Sequence, residues 1–325
     1  MKLKETIKTQ FRKFKNIVSV IPEGNVDQPI GKYFAPGVLG GYYNDLSAKC
    51  EQQFDKLQNM ISSKWYSPVI LSQLALGCYE KWLSDKSLKH KDGFIYIAGL
   101  LVEDQKFRRV GNTEIGVWEY NFPFSYNVKP PWISGMAQGQ AISVLMRAHQ
   151  ITKDKRYLIS SQYALRSFEH TIEEGGVKTV EKDGCVFYEE FPSVPYSHVL
   201  NGFIFALWGL YDYYIYLNDP RAKRLFEAGI FTLKRYLSKY DVGYWSKYDL
   251  YPYPYNMAHP ASLFYHNLHI NQLKALYLIT EEPVFLAMAS RWDNYIKSNI
   301  CKLMAISHRI SFLLLNRKCF VTRSA

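Results

Sequence analysis

From about Pro68 onward the apolar positions recur at helical spacing, and the pattern itself repeats. Ala141, Val144, Leu145 and Ala148 fall at i, i+3, i+4 and i+7, the stripe of an amphipathic α-helix. Comparable runs begin at Gln73, Asn201 and His269, and the four runs end on Asp85, Asp154, Asp219 and Glu282. These acidic marks lie 69, 65 and 63 residues apart. Three of them are followed, after a short turn, by a second amphipathic run at 155–171, 220–238 and 283–297; residues 91–105 play that part in the first unit. Helix, short turn, helix and long connection predict a mainly α protein. Its fold would be an α/α toroid, or incomplete α/α barrel, of about four helical hairpins. Residues 199–211 are apolar nearly all round, as an inner-ring helix requires. The competing reading is an ordinary helical bundle with a coincidental repeat.

The long connections, 107–135, 173–197 and 239–262, each precede the first helix of a unit, so in a toroid they share one rim. They hold the unusual stretches Trp118-Glu-Tyr-Asn-Phe-Pro-Phe, Pro130-Pro-Trp-Ile-Ser-Gly, Phe187-Tyr-Glu-Glu-Phe-Pro192 and Tyr248-Asp-Leu-Tyr-Pro-Tyr-Pro-Tyr255. Long loops on one rim of a rigid scaffold are where a binding site is expected. Short β segments are expected in 107–125 and 177–190. The domain reading is a lead-in at 1–60 with a basic helix at about 3–16, a toroid at 61–298, and a basic tail at 299–325 without clear caps.

Composition narrows the function. The 325 residues carry 40 Lys+Arg against 29 Asp+Glu, a surplus of +11 that favours an anionic partner. With 48% hydrophobic residues the chain is no disordered segment. No run approaches the roughly 18 apolar residues of a membrane span. Met1-Lys-Leu-Lys-Glu5 has no apolar stretch behind it, so the expectation is a cytoplasmic protein without a secretory signal. Five cysteines form no metal spacing and read as reduced thiols. Twenty-six tyrosines suit carbohydrate, single-stranded nucleic acid or a wet interface. The aromatics are not interleaved with Lys or Arg as a stacking platform for nucleic acid would be. Dinucleotide, P-loop, serine-hydrolase and zinc-protease motifs are missing from the sequence.

Several residues could carry chemistry. In Glu189-Glu190, adjacent carboxylates on an extended segment point to opposite faces, so one would face a cleft, where an aromatic setting raises its pKa. The plain alternative is a surface pair making ion pairs. Tyr265, His269 and Gln272 share a helical face, with His266 pointing elsewhere. Tyr265 reads either as an acid/base phenol or as a core tyrosine with a satisfied hydroxyl. Imidazoles at i, i+3 without an acidic ligand give no metal site. Asn201 and Gln138 on inner helices could contact sugar hydroxyls or bond the backbone, and Arg147 could neutralise a carboxylate or make a structural ion pair.

Six stretches in order resemble the C-terminal catalytic region of the D-glucuronyl C5-epimerase family. They are Tyr66-Ser-Pro-Val-Ile-Leu-Ser-Gln-Leu-Ala-Leu, Trp132-Ile-Ser-Gly-Met-Ala-Gln-Gly-Gln-Ala-Ile-Ser, Tyr188-Glu-Glu-Phe-Pro, Val199-Leu-Asn-Gly-Phe, Tyr248-Asp-Leu and Tyr265-His-Asn-Leu-His-Ile-Asn-Gln-Leu. The likeness spans about residues 60–297 and reads as a compact microbial-type version. It implies an isomerase converting glucuronate to iduronate units in an acidic polysaccharide such as heparosan, with no cofactor and no metal. By position it implies Glu190 and Tyr265 as acid/base groups, in either order, with Tyr248 assisting and Asn201 contacting substrate. Trp132, Gln138, Arg147, Tyr188, Tyr251, His266 and His269 complete the candidate substrate contacts. The implied partner is the polysaccharide alone, with no nucleic acid or membrane, and a homodimer is an open assembly. Two positions depart from the animal members: Phe191 stands for a tyrosine and Tyr251 for an arginine that binds the substrate carboxylate. A uronate lyase and a non-catalytic glycan-binding protein are the alternatives.

Overall fold

The computed structural model describes residues 27–63, 65–316 and Cys319. The basic helix expected at 3–16 lies outside them. Two short helices, α1 (Ser47–Gln53) and α2 (Leu57–Ile61), lead into four helical hairpins. These are α3 (Pro68–Asp85) with α4 (Leu88–Asp104), α5 (Gly135–Thr152) with α6 (Lys155–Arg166), α7 (Leu200–Leu217) with α8 (Pro220–Tyr236), and α9 (Leu263–Thr280) with α10 (Pro283–Lys297). Residues 299–315, read from sequence as part of a tail, form helix α11 (Asn299–Leu315) with Ser298 as its N-cap.

The first helix of every hairpin is 18 residues long and ends in the same way. Lys86, Lys153, Asn218 and Glu281 adopt left-handed φ of 56°, 60°, 52° and 57°. In three of them the N–H bonds back to the carbonyl four residues earlier, closing the helix. The next residue is extended and opens the second helix. Asp154 and Asp219 cap it with their carboxylates, and Pro220 and Pro283 take the first helical position. The acidic marks are thus helix N-caps in hairpins two to four. In the first hairpin the N-cap is Ser87, and Asp85 is the last residue of α3, where its carboxylate accepts the Ser87 N–H at 2.9 Å.

Burial separates the two kinds of helix. In α5 the residues from Gly135 to Ala148 are all buried, and in α7 those from Leu200 to Tyr213. By contrast α10 buries the single stripe Phe285, Ala289 and Trp292. Helices α3, α5, α7 and α9 therefore form the inner ring, with α5 packed on both α3 and α7, and α7 on α9. The α5–α7 contact depends on glycine. A Cβ on Gly139 would lie 2.6 Å from the Ala206 Cα, and one on Gly209 would strike the Gly139 backbone.

The connections carry three antiparallel pairs: β1 (Lys106–Val110) with β2 (Thr113–Val117), β3 (Glu119–Tyr120) with β4 (Trp132–Ile133), and β5 (Lys178–Val180) with β6 (Val186–Tyr188). The second and third long connections each satisfy the open N-terminus of the preceding inner helix, which holds them on one rim. Gly135 of α5 donates to the Glu189 carbonyl at 2.7 Å, and Leu200 of α7 donates to the Tyr248 carbonyl at 3.1 Å. No helix among the described residues is long and apolar enough to cross a membrane.

Candidate active site

Glu189 and Glu190 follow β6 and point opposite ways, as extended neighbours must. Glu189 turns into the core. It accepts from Thr179 Oγ1 at 3.0 Å, Ser197 Oγ at 3.3 Å, the His198 N–H at 2.9 Å, and pairs with His198 Nδ1. Glu190 turns onto the first turn of α7. Room exists there because residue 202 is glycine: a Cβ would collide with Glu190 Oε2. That oxygen is buried and has no hydrogen-bond partner among the described residues. Burial, reinforced by Glu189 and Asp249, pushes the Glu190 carboxyl up to about 8.

Tyr248 stands beside it. Its ring meets Tyr265 edge-on, with centroids 4.8 Å apart at 66°. Burial drives its hydroxyl pKa well above the usual phenol range, and Glu190, Tyr265 and Asp249 add to the shift. Tyr265 lies in the first turn of α9, its N–H held by Ser262 Oγ at 3.2 Å. Gln272, on the same helical face, donates to the Asn201 carbonyl at 3.1 Å. The side-chain oxygens of Asn201 and Gln272 are buried without hydrogen-bond partners among the described residues. The fold therefore gathers Glu190, Tyr248, Tyr265 and Asn201 at the N-terminal ends of α7 and α9. A carboxyl, two phenols and two open amide oxygens can move protons and bind hydroxyls.

Trp132 and Tyr251 line the rim nearby. Trp132 stacks on Tyr120 at 4.0 Å, and Tyr251 contacts Tyr126 at 5.1 Å. Phe191 sits between these rings, 5.7 Å from Trp132 and 5.3 Å from Tyr126. A cavity of about 410 Å³ opens here, lined by Arg108, Tyr126, Lys129, Trp132, Pro192 and Ser193 among others. It begins two residues past Glu190, and Glu190 does not line it.

Other sequence candidates are committed to the core. Arg147, 1% exposed, pairs with Asp212 at 2.6 Å and donates to the carbonyls of Gly40, Gly41 and Ser143. It lies twelve residues beyond Gly135, about 18 Å down α5 from the rim, so the expected carboxylate contact is corrected to a structural ion pair. Gln138 spends its amide on Trp118, Gly116 and Ser167, and the Tyr188 hydroxyl donates to the Leu225 carbonyl. His266 accepts from the Ser246 N–H, faces the Trp292 carbonyl and stacks on Trp245 at 3.7 Å, and burial pushes its pKa down to about 4. His269 is fully buried with Nδ1 against Ser246 Oγ, and its Nε2 has no hydrogen-bond partner among the described residues. The contacts of Gln138, Tyr188 and His266 place them behind the site.

Two residues escaped sequence reasoning. Asp249, inside Tyr-Asp-Leu, accepts from Tyr126 at 2.7 Å and Tyr253 at 2.9 Å and pairs with His259 at 2.7 Å, tying the rim loops together. His198, directly before Val199-Leu-Asn-Gly, holds Glu189. Its position beside that motif was the available signal. Among the described residues no three His, Cys, Asp or Glu side chains gather as metal ligands.

The family model described as D-glucuronyl C5-epimerase C-terminus matches residues 111–294, more than half of the chain. A D-glucuronyl C5-epimerase of Caenorhabditis elegans is 35% identical over 226 residues, 66% of this chain and 36% of the worm protein. The chain thus corresponds to about a third of that relative's length. An uncharacterized protein of Methanocaldococcus jannaschii is 28% identical over 240 residues, covering 70% of this chain and 76% of its own. The solved unsaturated glucuronyl hydrolase of Bacillus sp. GL1 superposes with a TM-score of 0.47 at 14% identity, over 77% of this chain and 65% of that one. Five of the six family stretches, with Glu190, Tyr248 and Tyr265 among them, lie within the matched segment, and the chain belongs to the D-glucuronyl C5-epimerase C-terminal family, a family of isomerases.

Proposed function

We propose that this chain epimerises D-glucuronate units of an acidic polysaccharide at C5, giving L-iduronate. One observation carries the reading: Glu190 presents a buried carboxylate oxygen, unpartnered among the described residues, beside the Tyr248–Tyr265 pair. The C5 hydrogen is acidified by the adjoining carboxylate of the sugar. A base with a pKa near the working pH takes that proton most effectively, and Glu190 at about 8 meets the condition. The electron pair left at C5 spreads into the sugar carboxylate as an enolate-like anion, stabilised by nearby donors such as the Tyr248 hydroxyl. A proton delivered to the opposite face of C5 completes inversion. Glu190 and Tyr265, one on β6's extension and one on α9, are the two groups for this exchange.

Proton NMR of heparosan incubated with the protein in D2O tests the reading. Deuterium at C5 of the uronate is the expected result. An unsaturated product absorbing in the near ultraviolet would mean β-elimination, and binding without exchange would leave a glycan-binding protein.

A further inference from the structure

The segment that aims Glu190 is held by a carboxylate–imidazole pair whose histidine, His198, lies outside the family stretches. His198, 7% exposed, sits directly before Val199, the N-cap of α7, at a left-handed φ of 46°. Its ring stacks on Phe187 with centroids 3.8 Å apart. Nδ1 meets Glu189 Oε1, Nε2 lies 3.2 Å from Glu181 Oε1, and the backbone N–H donates to Glu189 Oε2. The backbone carbonyl accepts from the Tyr240 hydroxyl at 2.7 Å. On either side, the Ser197 carbonyl accepts from Leu250 and the Leu200 N–H donates to Tyr248. Three strands of the site therefore cross at this residue: the extension of β6, the start of α7 and the Tyr248 loop.

We propose, resting on the epimerase reading above, that His198 is a positioning residue. As an imidazolium it pins Glu189 to the start of α7 and cancels its charge, so that Glu190 is aimed over Gly202 and faces one uncompensated negative charge fewer. The surroundings favour the charged ring. Glu189 and Glu181 face it from the β5–β6 hairpin, Tyr196 from its own loop, and Tyr240 from the turn after α8. Burial pulls the ring's pKa down, but the two carboxylates outweigh it and leave it raised. Among the described residues Glu190 has no comparable counter-ion: Glu189 and Asp249 both push its carboxyl upward.

His198→Asn separates charge from geometry. The asparagine amide falls where Nδ1 was, and asparagine tolerates left-handed φ. The measurement is a carboxyl carbon NMR titration of Glu190, identified by the resonance lost in Glu190→Gln. The Glu190 midpoint is expected to rise by about one pH unit in His198→Asn. The acid limb of the C5 exchange rate should move with it while KM holds. An unshifted midpoint overturns the proposal. A second measurement needs only the parent protein: its His198 ring should be protonated at neutral pH, and a neutral ring there overturns the proposal equally. Neither titration requires turnover, so a parent protein that exchanges no deuterium would sink the epimerase reading and still leave the role of His198 decided.

Discussion

A carboxyl raised from 4.5 to about 8 by burial works against the fold at alkaline pH. The folded chain keeps the Glu190 proton where the unfolded chain has already shed it, so its contribution is fully present below about 4.5 and is lost as pH rises to about 8. Glu190→Gln should therefore match its parent in acid and exceed it in thermal stability above about pH 8, while losing C5 deuterium exchange. Unfolding curves at both ends of that range check the first half and NMR the second. Tyr265→Phe keeps the ring contact with Tyr248 and deletes only the hydroxyl. Exchange should fall by at least about a hundredfold, the lower bound for a lost acid/base group. Full activity in that variant would refute a two-sided proton transfer. At this scale the sequence singled out Glu190, Tyr248 and Tyr265. For the glutamates that choice came from the family resemblance, since the extended-strand argument says only that one of the two faces a cleft, and which one depends on which way β6 turns and on Gly202 lying opposite.

Helical hairpins are the elements that the sequence displayed best, since their turns are made of local chemistry. A left-handed residue followed by an extended capping carboxylate recurs at Lys153-Asp154 and Asn218-Asp219, and each needs only its own neighbours. The displaced mark at Asp85 has the same cause: Ser87 takes the cap, and the aspartate serves the turn from two residues back. What holds α5 against α7 was not legible, because Gly139 and Gly209 lie in different units and reveal their purpose only when the helices meet. Gly209→Ala should destabilise the protein by about 1–3 kcal/mol, the usual cost of overpacking a tight contact. Urea denaturation would show it, and a neutral result would mean that the inner ring is looser than its backbone contacts imply.

Across the whole molecule, the Arg147–Asp212 pair joins α5 and α7, and Arg147 also bonds the carbonyls of Gly40 and Gly41 in the lead-in. Removing one partner of a buried pair leaves an uncompensated charge in the core. Arg147→Ala should cost about 3–5 kcal/mol, with exchange per folded molecule unchanged. Loss of exchange at full stability would instead return Arg147 to the site. From the sequence alone came the mainly α fold, the four hairpins, the shared rim and the three acid/base candidates, all carried by local periodicity, caps and motifs. Tertiary structure alone decided which polar residues gather at the candidate site and which hold the ring. Arg147, Gln138, Tyr188 and His266 spend their polar atoms on distant backbone or side chains, while Glu190, Asn201 and Gln272 each keep an oxygen without a hydrogen-bond partner among the described residues. Pairings across scores of residues leave no local trace in the chain, and the physical reason is that burial and hydrogen-bond satisfaction are properties of assembled neighbours.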